Sequence, residues 1–122
     1  MTATTQEQER TAISDVALDY FEGWFSGDAE RMRRALHPEL AKRRLLDDEE
    51  GLDETTAPEM IEATAAGAGP RHGDPGKIEV EIVEVYGQIA TAIVRSSVYR
   101  EYLHLAQTRR GWKIVNAIWA WT

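Results

Sequence analysis

The sequence predicts an α+β domain in which a layer of N-terminal helices packs on a curved antiparallel sheet built from the C-terminal half. Three observations predict it. Apolar residues recur at helical spacing as far as Ala66, and after Gly76 they alternate with polar residues at period two. The later segments are joined by the short turns Gly87-Gln88 and Arg109-Arg110-Gly111, too short for anything but antiparallel neighbours.

The first helix, from about Gln6 to Phe25, sets Ile13, Val16, Ala17, Tyr20, Phe21, Trp24 and Phe25 on one side, with Glu9, Arg10, Asp15, Asp19 and Glu22 mostly on the other. Ser26-Gly27 closes it, and Asp28 caps a short second helix running to about Leu36. Pro38 ends that helix, because the residue before a proline is pushed out of helical space, and Glu39 to Leu46 reads as extended chain. Asp47 to Glu54 is acidic, a solvated loop or hairpin tip. A third helix opens near Thr56-Ala57-Pro58, carries Met60, Ile61 and Ala63 to Ala66, and stops in Gly67-Ala68-Gly69-Pro70. The glycine- and proline-punctuated stretch to Gly76 is a loop, and the whole segment Gly67 to Gly76 is a candidate lid. Ile78, Val80 and Ile82 then begin the first strand of a meander that continues as Ile89 to Val98, Tyr99 to Thr108 and Trp112 to Trp121.

A chain of 122 residues closes one core, so a single domain over 1–122 is expected. The formal charge of -7 repels phosphate backbones and anionic membranes, which makes nucleic acid and lipid poor partners. With no cysteine there is no disulfide, no thiolate chemistry and no cysteine-held metal. Met1 to Arg10 lacks the apolar core of a signal peptide, and no run approaches the ~20 apolar residues of a membrane helix, so a cytoplasmic protein is expected. No cofactor motif is read.

The segments Tyr20-Phe21-Glu22-Gly23-Trp24-Phe25-Ser26-Gly27-Asp28, Met32 to Arg34 and Ala35-Leu36-His37-Pro38-Glu39-Leu40-Ala41-Lys42-Arg43 resemble the start of the nuclear transport factor 2-like superfamily. Glu101-Tyr102-Leu103-His104-Leu105 and Gly111-Trp112-Lys113-Ile114-Val115-Asn116 resemble its end, and the nearest branch is the one called "putative lumazine-binding". The resemblance implies a cone: a strongly curved antiparallel sheet wrapped around three N-terminal helices, with a cavity between them and commonly a homodimer through sheet faces. It does not fix a function, because the same cone hosts isomerases, dehydratases, cyclases and association domains. This chain has Glu101 where relatives often have aspartate, and it offers Lys42, Arg43 and Arg44 on the strand where the isomerases carry their general base, which argues against steroid isomerase chemistry.

Candidate site residues follow from strand and helix periodicity. Tyr99, Glu101, Leu103 and Leu105 share one strand face, assigned to the cavity, while Arg100, Tyr102, His104 and Ala106 take the other. An enclosed Glu101 would be desolvated and suited to proton transfer; the alternative places it at the cone mouth, paired with Arg44 or Arg95. Tyr20 and Trp24, one turn apart, either stack on a flat ligand or simply fill the core. Lys42 and Arg44 share a face and could hold an anion, although pairing with Asp47 to Glu50 at the surface is the plainer expectation. His37, His72 and His104 have no metal-site spacing: His37 suits a helix C-terminus, His104 the outer face beside Tyr102, and His72 a mobile loop.

The last strand is apolar on both faces, Trp112, Ile114, Asn116 and Ile118 on one and Val115, Ala117, Trp119 and Trp121 on the other. One face closes the core and the second predicts a partner copy. Asn116 is the polar residue expected to orient a ligand from the inner face. The leading expectation is a homodimeric cavity protein binding a small, partly aromatic or polycyclic molecule, lined by Tyr20, Trp24, Met60, Tyr99, Glu101, Leu103 and Asn116. Its rivals are an isomerase, dehydratase or cyclase using Glu101, with Tyr20 or Tyr99 facing an oxyanion, and an association domain with a filled cone.

Overall fold

Helices precede strands in the computed structural model, which describes residues 5–122. Residues 1–4 of the polar N-terminal stretch lie outside the described residues. Helix α1 (Thr5–Ser26) buries Ile13, Ala17, Tyr20 and Phe21, the stripe that 3.6-residue periodicity selects. Gly27 ends it at φ +73°, and the Asp28 carboxylate then accepts the Arg31 amide to cap α2 (Ala29–Ala35). Arg31 and Arg34 both reach back to Asp19, so α2 is pinned against α1.

The second helix gives way to β1 (Leu36–Leu45) two residues before Pro38, because Leu36 already pairs with the sheet. The acidic stretch after it is a hairpin tip at Asp47 to Gly51, followed by the short β2 (Leu52–Thr55). A reciprocal cap between Thr56 and Glu59, with proline in the first turn, opens α3 (Ala57–Ala65). Part of the expected loop is helical: α4 (Ala68–Arg71). Its Gly69 is buried against α1, where an added Cβ would fall 1.9 Å from the Trp24 carbonyl oxygen.

The sheet is completed by β3 (Glu79–Tyr86), β4 (Ile89–Arg95), β5 (Tyr99–Thr108) and β6 (Gly111–Trp121), in the order β2-β1-β6-β5-β4-β3. Four neighbouring pairs are antiparallel, as expected. The fifth is not: β1 runs parallel to β6, since the chain leaves the sheet after β2 and returns by way of the helices and the meander to fill the place beside β1. The helices lie on the concave face of this curved sheet, over Ala92, Val94, Leu103, Leu105 and Ile114.

One irregularity decides what the sheet presents. Leu105 pairs with Ile114 but His104 pairs with Asn116, so Val115 is an extra residue that inverts the alternation of β6. Trp112 and Ile114 point inward before it, and Ala117 and Trp119 after it. Asn116 and Ile118, assigned by strict alternation to the same face as Ile114, therefore lie on the outer face.

The α1 to α4 contact gives a stability test. Gly69→Ala drives a methyl into α1 backbone, which cannot swing aside, and an expected loss of about 1–3 kcal/mol follows. Urea unfolding should show a lower midpoint at unchanged slope; a wild-type midpoint would contradict this packing.

Candidate functional site

Between α1, the β1–β2 hairpin, α3 and the ends of β5 and β6 lies an open cavity of about 300 Å³. Of the residues expected to line it, Tyr20, Trp24, Met60, Tyr99 and Glu101 do so. Leu103 does not: it faces the same way but two residues deeper, wholly within the core. Asn116 is on the outer face, its amide nitrogen 3.3 Å from His104 Nδ1, because of the bulge at Val115.

The floor of the cavity is a hydrogen-bonded chain of three buried side chains from three elements. Tyr20 on α1 donates its hydroxyl to Glu101 Oε1 on β5 at 2.8 Å. Lys42 on β1 donates from Nζ to the Tyr20 oxygen at 2.5 Å and lies 3.8 Å from Glu101 Oε2. Glu101 is 3% exposed and Lys42 8%, so their mutual charge is poorly screened. Glu101 thus pairs with Lys42 in the interior, and with neither Arg44 nor Arg95 at the mouth; Arg95 bonds Glu81 instead.

Burial shifts all three groups, because each charged form loses water. The Glu101 carboxyl is raised, with the Lys42 charge and the Tyr20 donor pulling back. The Lys42 ammonium is lowered by desolvation and partly restored by Glu101. The Tyr20 hydroxyl is pushed well up by burial and by the neighbouring carboxylate, which keeps it a phenol and a donor.

Aromatic rings form the walls. Trp24 donates its indole N–H to the Tyr99 hydroxyl at 3.1 Å, and the Tyr99 ring lies 5.3 Å from Trp119 and 5.1 Å from Trp121. Burial raises the Tyr99 hydroxyl, moderated by the Trp24 bond. That hydroxyl accepts from Trp24, and its own proton meets no protein acceptor among the described residues. His72, expected to be mobile, stacks on Trp24 with centroids 6.1 Å apart and planes 13° apart, closing one side of the mouth. Arg44 lies over Trp119 at 5.4 Å while its guanidinium pairs with Asp47.

Sequence reasoning missed Lys42, His72, Trp119 and Trp121 as lining residues. The signal for Lys42 was present, since Leu40 faces the core and the next residue but one in a strand must follow it inward. The expected pairing with Asp47 to Glu50 holds only for Arg44, which meets Asp47; Arg43 meets Glu54 across the hairpin instead. Nor does His37 end a helix; it sits in β1, where Nδ1 accepts the Glu39 amide. His104 is exposed on the outer face, as expected. Among the described residues no group of three or more His, Cys, Asp or Glu side chains is placed to hold a metal, and no helix is long and apolar enough to cross a membrane.

A curved six-stranded sheet with its helices on one face and a cavity between them is the nuclear transport factor 2-like architecture, and solved structures bear this out. A nuclear transport factor 2-like protein of unknown function from Shewanella baltica OS155 superposes with TM-score 0.79 at 20% identity, covering 98% of each chain. One from Silicibacter pomeroyi DSS-3 gives 0.76 at 15% identity over 98% of this chain and 100% of that one. Another, from Methylobacillus flagellatus KT, gives 0.70 at 16% identity over 99% and 96%. At these identities the likeness establishes fold alone. The family described as "Putative lumazine-binding" matches residues 8–120, so the chain belongs to that family within the nuclear transport factor 2-like superfamily. No curated protein matches it.

The buried chain makes stability depend on pH in a way that can be signed. Lys42→Met leaves Glu101 with only Tyr20, so its folded pKa climbs further above the ordinary carboxylate value of 4.5. A raised carboxyl stabilises below its unfolded pKa, and that contribution is lost as pH rises through the folded one. The variant should therefore be about 3–5 kcal/mol less stable than wild type near pH 7, the cost of breaking a buried pair, with the deficit shrinking or reversing toward pH 4. Urea midpoints across that range measure it. A deficit independent of pH would refute the buried pair.

Proposed function

We propose that the chain is a small-molecule-binding protein whose ligand is flat and partly aromatic or polycyclic, held as a homodimer. The observation that carries the reading is the cavity itself: about 300 Å³, at the lower end of the range of ligand sites, with aromatic walls and a polar floor. Trp24, Tyr99, Trp119 and Trp121 offer ring faces and edges suited to stacking, and Glu101, Lys42 and the Tyr99 hydroxyl offer groups that orient a polar substituent. The family name "Putative lumazine-binding", lumazine being a flat heterocycle, is consistent with this chemistry. An open cavity weighs against the reading as an association domain with a filled cone.

A second reading, proton transfer by an isomerase, dehydratase or cyclase, is favoured by one specific observation. Glu101 is a buried carboxyl with a raised pKa at the end of a hydrogen-bonded chain, the condition under which a carboxyl serves as acid or base near neutral pH. Tyr20 is committed to Glu101, so Tyr99 is the tyrosine that would face a developing oxyanion.

Support for the dimer comes from the outer sheet face, where Ile89, Tyr102 and Ile118 are each half exposed or more. Large apolar side chains grouped on one face of a soluble domain favour a partner.

Native mass spectrometry of protein purified from its own host should detect a retained small molecule, and calorimetric titration with lumazine or 2-naphthylmethanol should give saturable binding that Trp24→Ala weakens by about tenfold or more, the ~1.4 kcal/mol or more expected of a stacking aromatic. Absence of both a retained molecule and any saturable binding would sink the reading. Sedimentation at micromolar concentration should give a dimer that Tyr102→Glu converts to monomer; a wild-type monomer refutes the dimer.

A further inference from the structure

The cavity floor carries a feature that stacking and orientation do not explain: Lys42, an amine largely withdrawn from bulk water yet lining the space a ligand would enter. A lysine kept only for charge would sit at the mouth, where hydration costs nothing, as Arg44 does. The Lys42 head is instead enclosed between the Tyr20 ring at 5.0 Å and the Trp119 ring at 5.4 Å, and its nitrogen donates to a phenol that itself donates to a carboxylate. We infer that Lys42 is an amine nucleophile which condenses with an aldehyde or ketone group on the ligand to form a Schiff base, with Tyr20 and Glu101 as its proton relay.

The step balances without any added oxidant or reductant. A proton on Lys42 Nζ passes to the Tyr20 oxygen as the Tyr20 hydroxyl proton passes to Glu101, which leaves a neutral amine, an intact phenol and a carboxylic acid. The amine lone pair forms the C–N bond to the carbonyl carbon, and the C=O π pair moves to oxygen, which takes the proton held by Glu101. Glu101, again a carboxylate, takes one of the two protons left on nitrogen and passes it to the hydroxyl, which leaves as water; the nitrogen keeps its last proton as a protonated imine beside the Glu101 carboxylate, one water being released per carbonyl consumed. Burial favours the first transfer, because converting an enclosed ion pair into two neutral groups removes the cost of desolvating charge. The rings over Lys42 pull the other way, since a cation above an aromatic face is stabilised.

The inference rests on the proposed binding of a flat aromatic ligand, and the test separates the two. Whole protein is incubated with 2-naphthaldehyde and sodium cyanoborohydride, which reduces an imine to a stable secondary amine, and adducts are located by peptide mapping. The chain has three lysines, so Lys77, exposed, and Lys113, which donates to the Arg34 carbonyl, serve as internal controls. Among the three lysines one adduct is expected, on Lys42, formed about tenfold or more faster at pH 7 than on either control, because the cavity holds the aldehyde against the enclosed amine. Its rate should rise with pH and level off below the range of an ordinary lysine, since burial lowers the Lys42 ammonium. The groups around the cavity that shape this profile are Tyr20 from α1, Arg44 from β1, Asp53 from β2, Tyr99 and Glu101 from β5, and His72 after α4. Lys42→Arg, which keeps the charge without a nucleophilic amine, should abolish the adduct, and Glu101→Gln should slow it. Labelling confined to Lys77 or Lys113, or equal at all three, overturns the inference. If 2-naphthylmethanol binds while Lys42 stays unlabelled, the lysine chemistry alone fails; if the alcohol also fails to bind, the binding reading fails with it.

Discussion

The link among Lys42, Tyr20 and Glu101 is the constraint on which the site depends. These side chains come from β1, α1 and β5, elements separated by up to 81 positions in the chain, and two hydrogen bonds join all three. Because the chain is buried, its geometry is fixed by the surrounding packing rather than by solvent-exposed rotamers, and α1 must sit at one height over the sheet for the Tyr20 hydroxyl to reach both partners. The same placement brings Trp24, one turn further along α1, to the Tyr99 hydroxyl. Five of the lining residues, Tyr20, Trp24, Lys42, Tyr99 and Glu101, are thus linked through the seating of one helix.

The sheet supplies the second constraint. Val115 as an unpaired residue lets β6 keep Trp112 and Ile114 in the core and still turn Trp119 and Trp121 toward the cavity. Without it, alternation would send Trp119 outward and leave Lys42 with no ring above it from β6. The bulge also places Asn116 beside His104 on the outer face, so one local irregularity shapes both sides of the sheet. The parallel pairing of β1 with β6 completes the arrangement by setting Lys42 across from Ala117, a residue small enough to leave room beside it.

Most of the fold was legible because it rests on local signals. The α1 stripe, the Asp28 cap, the Thr56 to Pro58 helix start and the period-two strands are each read from fewer than twenty consecutive residues. What was not legible depends on partners far away in the chain. Leu36 joins β1 rather than α2 because Ile114 is beside it, and Asn116 changes face because Leu105 and His104 fix the register around Val115. Within the site, Tyr20, Trp24, Tyr99 and Glu101 followed from periodicity. Lys42 obeyed the same rule but was hidden by its neighbours, since a run of Lys42, Arg43 and Arg44 reads as surface until Leu40 anchors the face.

Stability alone does not explain why this trio is polar. Well-packed apolar residues of similar volume in place of a buried ion pair often hold a fold as well or better, because the desolvation cost of two charges offsets most of their attraction. Specificity of packing could be served by Tyr20 and one partner. The trio nevertheless keeps an acid, an amine and a phenol in hydrogen-bonded order, and all three also border the cavity. The buried Thr64 hydroxyl, by contrast, is satisfied locally, donating to the Met60 carbonyl one turn back in its own helix. The groups whose charge is costly to enclose have been gathered at the one place where a bound molecule can meet them, and that coincidence ties their chemistry to the cavity.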